Sequence, residues 1–272
     1  MDDLEKNKKF VKDFWNKASC GENLYLKGKN EIEKFQNQLK TRYELEPFIP
    51  PFAEFEKSKN KKVLEIRIGL GADHQKFAEN EAELYGCDLT ERSIEMTQKR
   101  FKLFNLNSKL TIADAENLPY EDGSFDIVYS WGVIHHSPDT QKAANEIYRV
   151  LKKDGIGRIM IYHKKSILGY LLWIRYALMA FLPFRSLNYI YSNYVESPGT
   201  KAYTIKEAGK LFNKFGKTEI ETILTHGDLL SSEAGQRHNG LVLTIARKIY
   251  PRFLIKLLFP KNGLFMLVKL VK

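Results

Sequence analysis

Apolar residues recur at helical spacing in the first 60 residues. Phe10, Val11, Phe14 and Trp15 form one stripe, and Ile32, Phe35 and Leu39 form a second at i, i+3, i+7. Pro47, Pro50 and Pro51 then interrupt the pattern. From 61 to 165 short apolar runs alternate with amphipathic stretches, as a parallel sheet with crossover helices requires. This predicts strands at 62–68, 83–88 and 110–113, a fourth after the turn at 121–124, and a fifth at 157–162. Helices are expected near 73–80, 91–104 (with Thr90 as N-cap) and 140–151. Residues 205–215 and 218–224 read as a last helix and sixth strand, and 263–271 as a seventh.

The first strand runs through Val63, Leu64, Ile66 and Ile68 and breaks at Gly69 and Gly71, a sharp strand-to-helix turn of the kind that binds nucleotides in open α/β sheets. A dinucleotide fingerprint would place a third glycine where His74 stands. Glu65, at the strand end, would also repel a pyrophosphate. Asp88 ends the second strand, where it can accept from ribose hydroxyls, and Asp114 ends the third. Each carboxylate alone also suits a helix cap or turn. One per strand end on three adjacent strands points instead to a cationic, ribose-bearing ligand without phosphates, which describes S-adenosylmethionine better than NAD.

Val63 to Gly71 resembles the first motif, V-L-E-x-G-x-G-x-G, of the class I S-adenosylmethionine-dependent methyltransferases, especially the small-molecule, type 11-like branch. Asp122-Gly123-Ser124-Phe125-Asp126 is similar to that family's D-x-S-F-D segment. The resemblance is specific over about 62–163. It implies an α/β Rossmann-like sheet of seven strands in the order 3-2-1-4-5-7-6, strand seven antiparallel, with helices on both faces. It also implies that S-adenosyl-L-methionine is held by Glu65, Arg67, Gly69, Gly71, Asp88, Leu89, Asp114, Ala115 and Ser130, with Asp114 and the Ala115 N–H reading the adenine. The chain departs from the motif at Arg67, where the family has its first glycine. That side chain either turns away, stacks on adenine, clasps the cofactor carboxylate, or weakens the site.

The expected function is in-line methyl transfer to a small organic acceptor, apolar or lipid-like among the options. The alternative is a non-catalytic, methyltransferase-like binding protein altered at Arg67. His135 and His136 follow strand four, closest by family analogy to the reacting methyl, and are the candidate bases. No carboxylate/His cluster at ligand spacing is evident along the sequence, so no metal is expected.

Charge refines the partners. Residues 151–272 hold 20 Lys/Arg against 7 Asp/Glu, within a net +10 for the chain. A basic half suits nucleic acid, an anionic membrane or an acidic substrate, although a lysine-rich surface without a partner is an equal reading. No nucleic-acid module is present. Cys20 and Cys87 lack metal or disulfide spacing, which suggests a reducing, cytoplasmic setting, with peripheral membrane contact as an addition. The resulting map is an N-terminal helical extension or lid over 1–60 and a cofactor-binding core over 61–165. A hydrophobic cap insertion follows over 166–204, then the C-terminal part of the fold over 205–272. The run 167–182 reads as a helix apolar nearly all round, either buried or in lipid, but too short and too charged to span a membrane. It reads as a substrate cover or an interfacial element, and the basic, amphipathic 246–260 stretch reads likewise.

Overall fold

The computed structural model describes residues 3–17, 22–232, 244 and 247–272. Seven strands form one sheet: β1 (Lys62–Ile66), β2 (Glu83–Asp88), β3 (Lys109–Ile112), β4 (Phe125–Trp131), β5 (Leu151–Tyr162), β6 (Lys217–Ile223) and β7 (Phe265–Val271). Their spatial order is β3-β2-β1-β4-β5-β7-β6, as the resemblance implied. β1 through β5 pair in parallel, whereas β7 lies antiparallel to both β5 and β6.

The helices are α1 (Asp3–Lys17), α2 (Glu22–Tyr25), α3 (Glu31–Leu45), α4 (Ile49–Ala53), α5 (Ala72–Glu79), α6 (Glu91–Leu103), α7 (Thr140–Val150), α8 (Ile167–Trp173), α9 (Leu187–Tyr194), α10 (Ile205–Leu211) and α11 (Arg252–Leu258). They cover two apolar layers. Val63, Phe77, Tyr129, Tyr162 and Phe265 belong to one, and Leu64, Ile66, Val128, Ile147 and Val268 to the other. Adjacent β1 residues thus feed opposite layers, as strand pleating requires.

Three expectations need correction. Strand one stops at Ile66, not 68, because Arg67 leaves the extended region at φ 63°. Strand five begins at Leu151, six residues early, where it pairs with Phe125 across an irregular register. The apolar 167–182 run is not one helix: α8 passes into a π-turn at Ile174–Leu178 and the chain then bends. That bend leaves Phe181 and Phe184 exposed rather than buried.

Two buried charges fix the N-terminal extension to the core. Arg100 of α6 is wholly buried and donates to Gln75, Gln38 and the carbonyls of Leu70 and Phe35. Asp73 of α5 accepts two bonds from Arg42 at 3.0 and 2.7 Å, plus the hydroxyls of Tyr43 and Tyr129. Burial opposes ionisation of Asp73, but the Arg42 charge and these bonds outweigh it and hold the carboxyl below its usual range. Helix α3 is therefore pinned to the turn after β1.

Candidate functional site

The cleft forms where β1, β2 and β3 end. Gly71, at φ 74°, caps α5, and a Cβ there would meet Thr97 at 2.9 Å, so the tight turn depends on glycine. The Gly69 N–H donates to Asp88 Oδ2 at 3.2 Å, and Thr90 donates to Asp88 Oδ1 through its N–H and its hydroxyl. Asp88 is thereby fixed at the mouth of the glycine turn. Asp114 Oδ1 accepts the Glu116 N–H at 2.9 Å and starts the turn after β3.

Ile66, Arg67, Asp88, Leu89, Ala113, Asp114, Ala115 and His136 line one cavity. The other expected residues lie elsewhere. Ser130 is wholly buried in β4, and Gly71 supports the turn from behind. Glu65 turns toward α5, where its carboxyl meets His74 Nδ1 at 2.9 Å. Burial raises the Glu65 carboxyl well above its usual range and lowers His74 to about 3, so both are neutral. His74 Nε2 then meets the Ser108 hydroxyl at 2.8 Å, and that hydroxyl donates to the Leu84 carbonyl. A Cβ on Gly86 would lie 2.7 Å from the His74 ring, so the glycine makes room for this buried chain.

The sequence offers the first helix only as part of an extension or lid, and nothing in it singles out Lys8. The Lys8 ammonium lies 2.5 Å from Asp114 Oδ2 and 2.6 Å from Glu116 Oε2. Burial works against its charge, but the two carboxylates outweigh that and raise its pKa. Trp15 is buried over the Arg67 guanidinium, 3.9 Å from ring centre to Cζ, and Arg67 donates to the Gly132 carbonyl at 2.6 Å. Lys8, Val11 and Trp15 of α1 thus roof the cleft, and the enclosed cavity is about 60 Å³. Cys20 lies outside the described residues.

A second, larger groove of about 970 Å³ opens beside it, between α1, the start of α7, α9, residues 198–203 and α10. His136 lines both spaces. Its Nδ1 lies 2.9 Å from Ser197 Oγ, and its Nε2 lies 3.1 Å from Glu196 Oε2. The Thr200 hydroxyl donates to the Ser197 carbonyl at 2.6 Å. A neutral imidazole with its proton on Nε2 satisfies these contacts: Nε2–H faces the carboxylate and Nδ1 accepts from Ser197.

Burial lowers the His136 pKa despite the Glu196 charge. Burial would raise Glu196, but its contact with His136, the Arg67 charge and a Tyr162 hydrogen bond hold it below its usual range. Glu196 sits at φ 46° in the turn after α9, sixty residues from His136, which hid the partnership from any local motif. His135 is wholly buried against Tyr162, and neither ring nitrogen has a hydrogen-bond partner. Burial drives its pKa well below the ordinary value.

His135, His136 and Glu196 bring three ligand-type atoms within 4.8 Å of one another, a cluster the sequence did not reveal. Four-coordinate zinc, with bonds of about 2.0–2.2 Å, would hold such atoms closer together.

Comparisons with known proteins agree with this architecture. Residues 64–159 match the family model described as a methyltransferase domain. This segment belongs with the class I S-adenosylmethionine-dependent methyltransferases. It is 33% identical over 104 residues to phosphoethanolamine N-methyltransferase 2 of Caenorhabditis elegans, covering 38% of this chain and 24% of the relative. It is 36% identical over 104 residues to the ubiquinone/menaquinone biosynthesis C-methyltransferase UbiE of Rickettsia akari, covering 35% and 42%. The chain therefore spans less than half the length of either curated relative. The crystal structure of the Bacillus subtilis YcgJ protein superposes with a TM-score of 0.55 at 18% identity, over 85% of this chain and 98% of that one. Among the described residues no helix is long and apolar enough to cross a membrane.

Proposed function

We propose that this protein transfers a methyl group from S-adenosylmethionine to a small acceptor bound in the 970 Å³ groove. The observation that carries this reading is the shared wall. His136 separates a cleft with Asp88, Asp114 and Ala115 at the strand ends from a groove large enough for an organic acceptor. The donor set suits the cofactor: Asp88 for ribose hydroxyls, Asp114 for the adenine amino group and the Ala115 N–H for a ring nitrogen. The 60 Å³ beneath α1 does not hold it, so the helix swings away when the cofactor binds.

When bound, the cofactor supplies an electrophilic methyl on a sulfonium. The chain's task is then to align the acceptor and exclude water. His136, which lines both spaces, is the candidate base, and Glu196, which lines neither, faces its Nε2 at 3.1 Å. His135, without a partner and enclosed by protein, has no route to the acceptor. An apolar acceptor, as the quinone-pathway relative's name suggests, reaches the groove from a lipid surface.

A second reading, a non-catalytic, methyltransferase-like binding protein whose cofactor site is altered at Arg67, is favoured by the stacking of Arg67 on Trp15. Calorimetric titration of S-adenosylmethionine and its demethylated product into wild type and Arg67→Gly separates the two. Micromolar binding by wild type supports the enzyme. Binding by Arg67→Gly alone supports the second reading. Silence from both, and from a Lys8→Ala/Trp15→Ala variant that opens the roof, would sink the cofactor assignment.

A further inference from the structure

We infer that the bend after α8, together with α11, is a docking surface for an anionic membrane. This goes beyond methyl transfer and stands without it. In the bend, Leu178 is 50% exposed, Phe181 92% and Phe184 99%; on α11, Phe253 is 75% exposed and Leu257 62%. No residue of α11 is buried. Apolar side chains this exposed, in two segments free of acidic residues, need a partner.

The bend is a built element that holds its phenylalanines outward. The Leu182 N–H donates to the Ala177 carbonyl at 2.8 Å, and Trp173 Nε1–H to the Arg185 carbonyl at 2.8 Å. The Arg185 guanidinium donates to the Tyr176 carbonyl and the Tyr194 hydroxyl, and the Tyr176 and Tyr194 rings stack at 3.9 Å. The chain just past α11 meets the start of α8. The Ile167 N–H donates to the Asn262 carbonyl at 2.8 Å, and Asn262 Nδ2 to the Lys165 carbonyl at 3.3 Å.

Charge selects the partner. No Asp or Glu occurs from Lys164 to Val195 or from Arg247 to Lys272, while both stretches carry Lys and Arg. Lys165, Lys248, Lys256 and Lys261 are exposed beside the apolar residues. An apolar surface bordered by basic residues, with Trp and Tyr at its margin, has the chemistry of an interfacial element attracted to anionic headgroups. A surface shared with a second protein would not require two stretches free of acidic residues.

The test is sedimentation of the full chain with vesicles of phosphatidylcholine alone, or with one third phosphatidylglycerol. Wild type is expected to pellet with the anionic vesicles, to remain in solution with the neutral ones, and to be released by salt. Phe181→Ser/Phe184→Ser and Phe253→Ser/Leu257→Ser should each lower vesicle partitioning by about tenfold or more. These positions are exposed, so circular dichroism should match wild type. Wild type that stays in solution with both vesicle types, or variants that bind unchanged, would overturn the inference. A wild-type dimer abolished by Phe181→Ser/Phe184→Ser, without vesicle binding, would also overturn it and assign the surface to a second copy.

Discussion

Arg67 lies against the face of Trp15, 3.9 Å from its ring centre, and is held there by the Gly132 carbonyl. A side chain from the first turn of the sheet thus braces a helix some fifty residues earlier. It does so from a left-handed backbone position that costs a non-glycine residue about 1–3 kcal/mol.

Arg67→Gly relieves that strain and loses the stacking and one hydrogen bond, so its net effect on stability should stay within about 1 kcal/mol. Its effect on the cleft should be larger. With the brace and a positive charge gone, affinity for the cationic S-adenosylmethionine should rise about tenfold or more. Affinity for the uncharged thioether product should rise less. Paired calorimetric titrations check this, and equal or weaker affinity in the variant would refute the bracing role.

Asp88→Ala should abolish measurable cofactor binding, because it removes both the ribose acceptor and the anchor of the Gly69 N–H. Asp114→Asn keeps a hydrogen-bond acceptor but loosens Lys8 from one of its two carboxylates. Its cofactor affinity should therefore change far less. Reversal of that order would overturn the assignment of the two carboxylates.

Asp73→Asn leaves the Arg42 guanidinium facing an uncharged amide in a buried setting. Breaking one side of such a pair costs about 3–5 kcal/mol. A urea unfolding midpoint that hardly moves would show that α3 is not pinned through Asp73.

Acid stability follows from His74 and His135. Both are wholly buried with pKa values lowered by burial, His74 to about 3. The unfolded chain takes up a proton on each below about pH 6.5 while the native chain does not, so stability falls as pH drops, by up to about 1.4 kcal/mol per histidine per pH unit. Glu65 acts in the opposite sense. It keeps its proton when folded and releases it when unfolded above its ordinary range, which favours the native state at lower pH. His136, His163 and His226 are lowered like these two, and Glu46 (to about 7) and Asp228 are raised like Glu65, so five histidines stand against three carboxyls and stability should fall from pH 6.5 to 5. His135→Phe preserves the stack on Tyr162 and removes one histidine, so unfolding measured at pH 5 and 7 should show a flatter pH dependence. An unchanged slope would show that His135 already titrates in the folded protein.

The sheet was legible because each strand end carries a turn or a carboxylate that breaks an apolar run, and because the glycine turn marks β1. Asp88, Asp114 and His136 could be placed for the same reason: each stands at a strand's carboxyl end. Glu65 had the same signature, yet strand pleating turns it to the face opposite the cleft, toward His74. Lys8 and Glu196 left no local signal. Their roles arise only when α1 and the turn after α9 fold onto the ends of distant strands. The exposed bend was misjudged as helix because apolar content alone does not distinguish a buried run from one that faces outward.

If Asp114 receives the adenine amino group as proposed, Lys8 competes with it at Asp114 Oδ2, and the roofed state disfavours the cofactor-loaded one. Apparent affinity is then the intrinsic affinity of the open form multiplied by the fraction of time α1 spends away. A helix open about 1% of the time would weaken binding about a hundredfold. Conditions that compete for Lys8, such as high ionic strength, would load the protein without touching a cofactor contact. On that reading, the first helix would make cofactor occupancy responsive to salt.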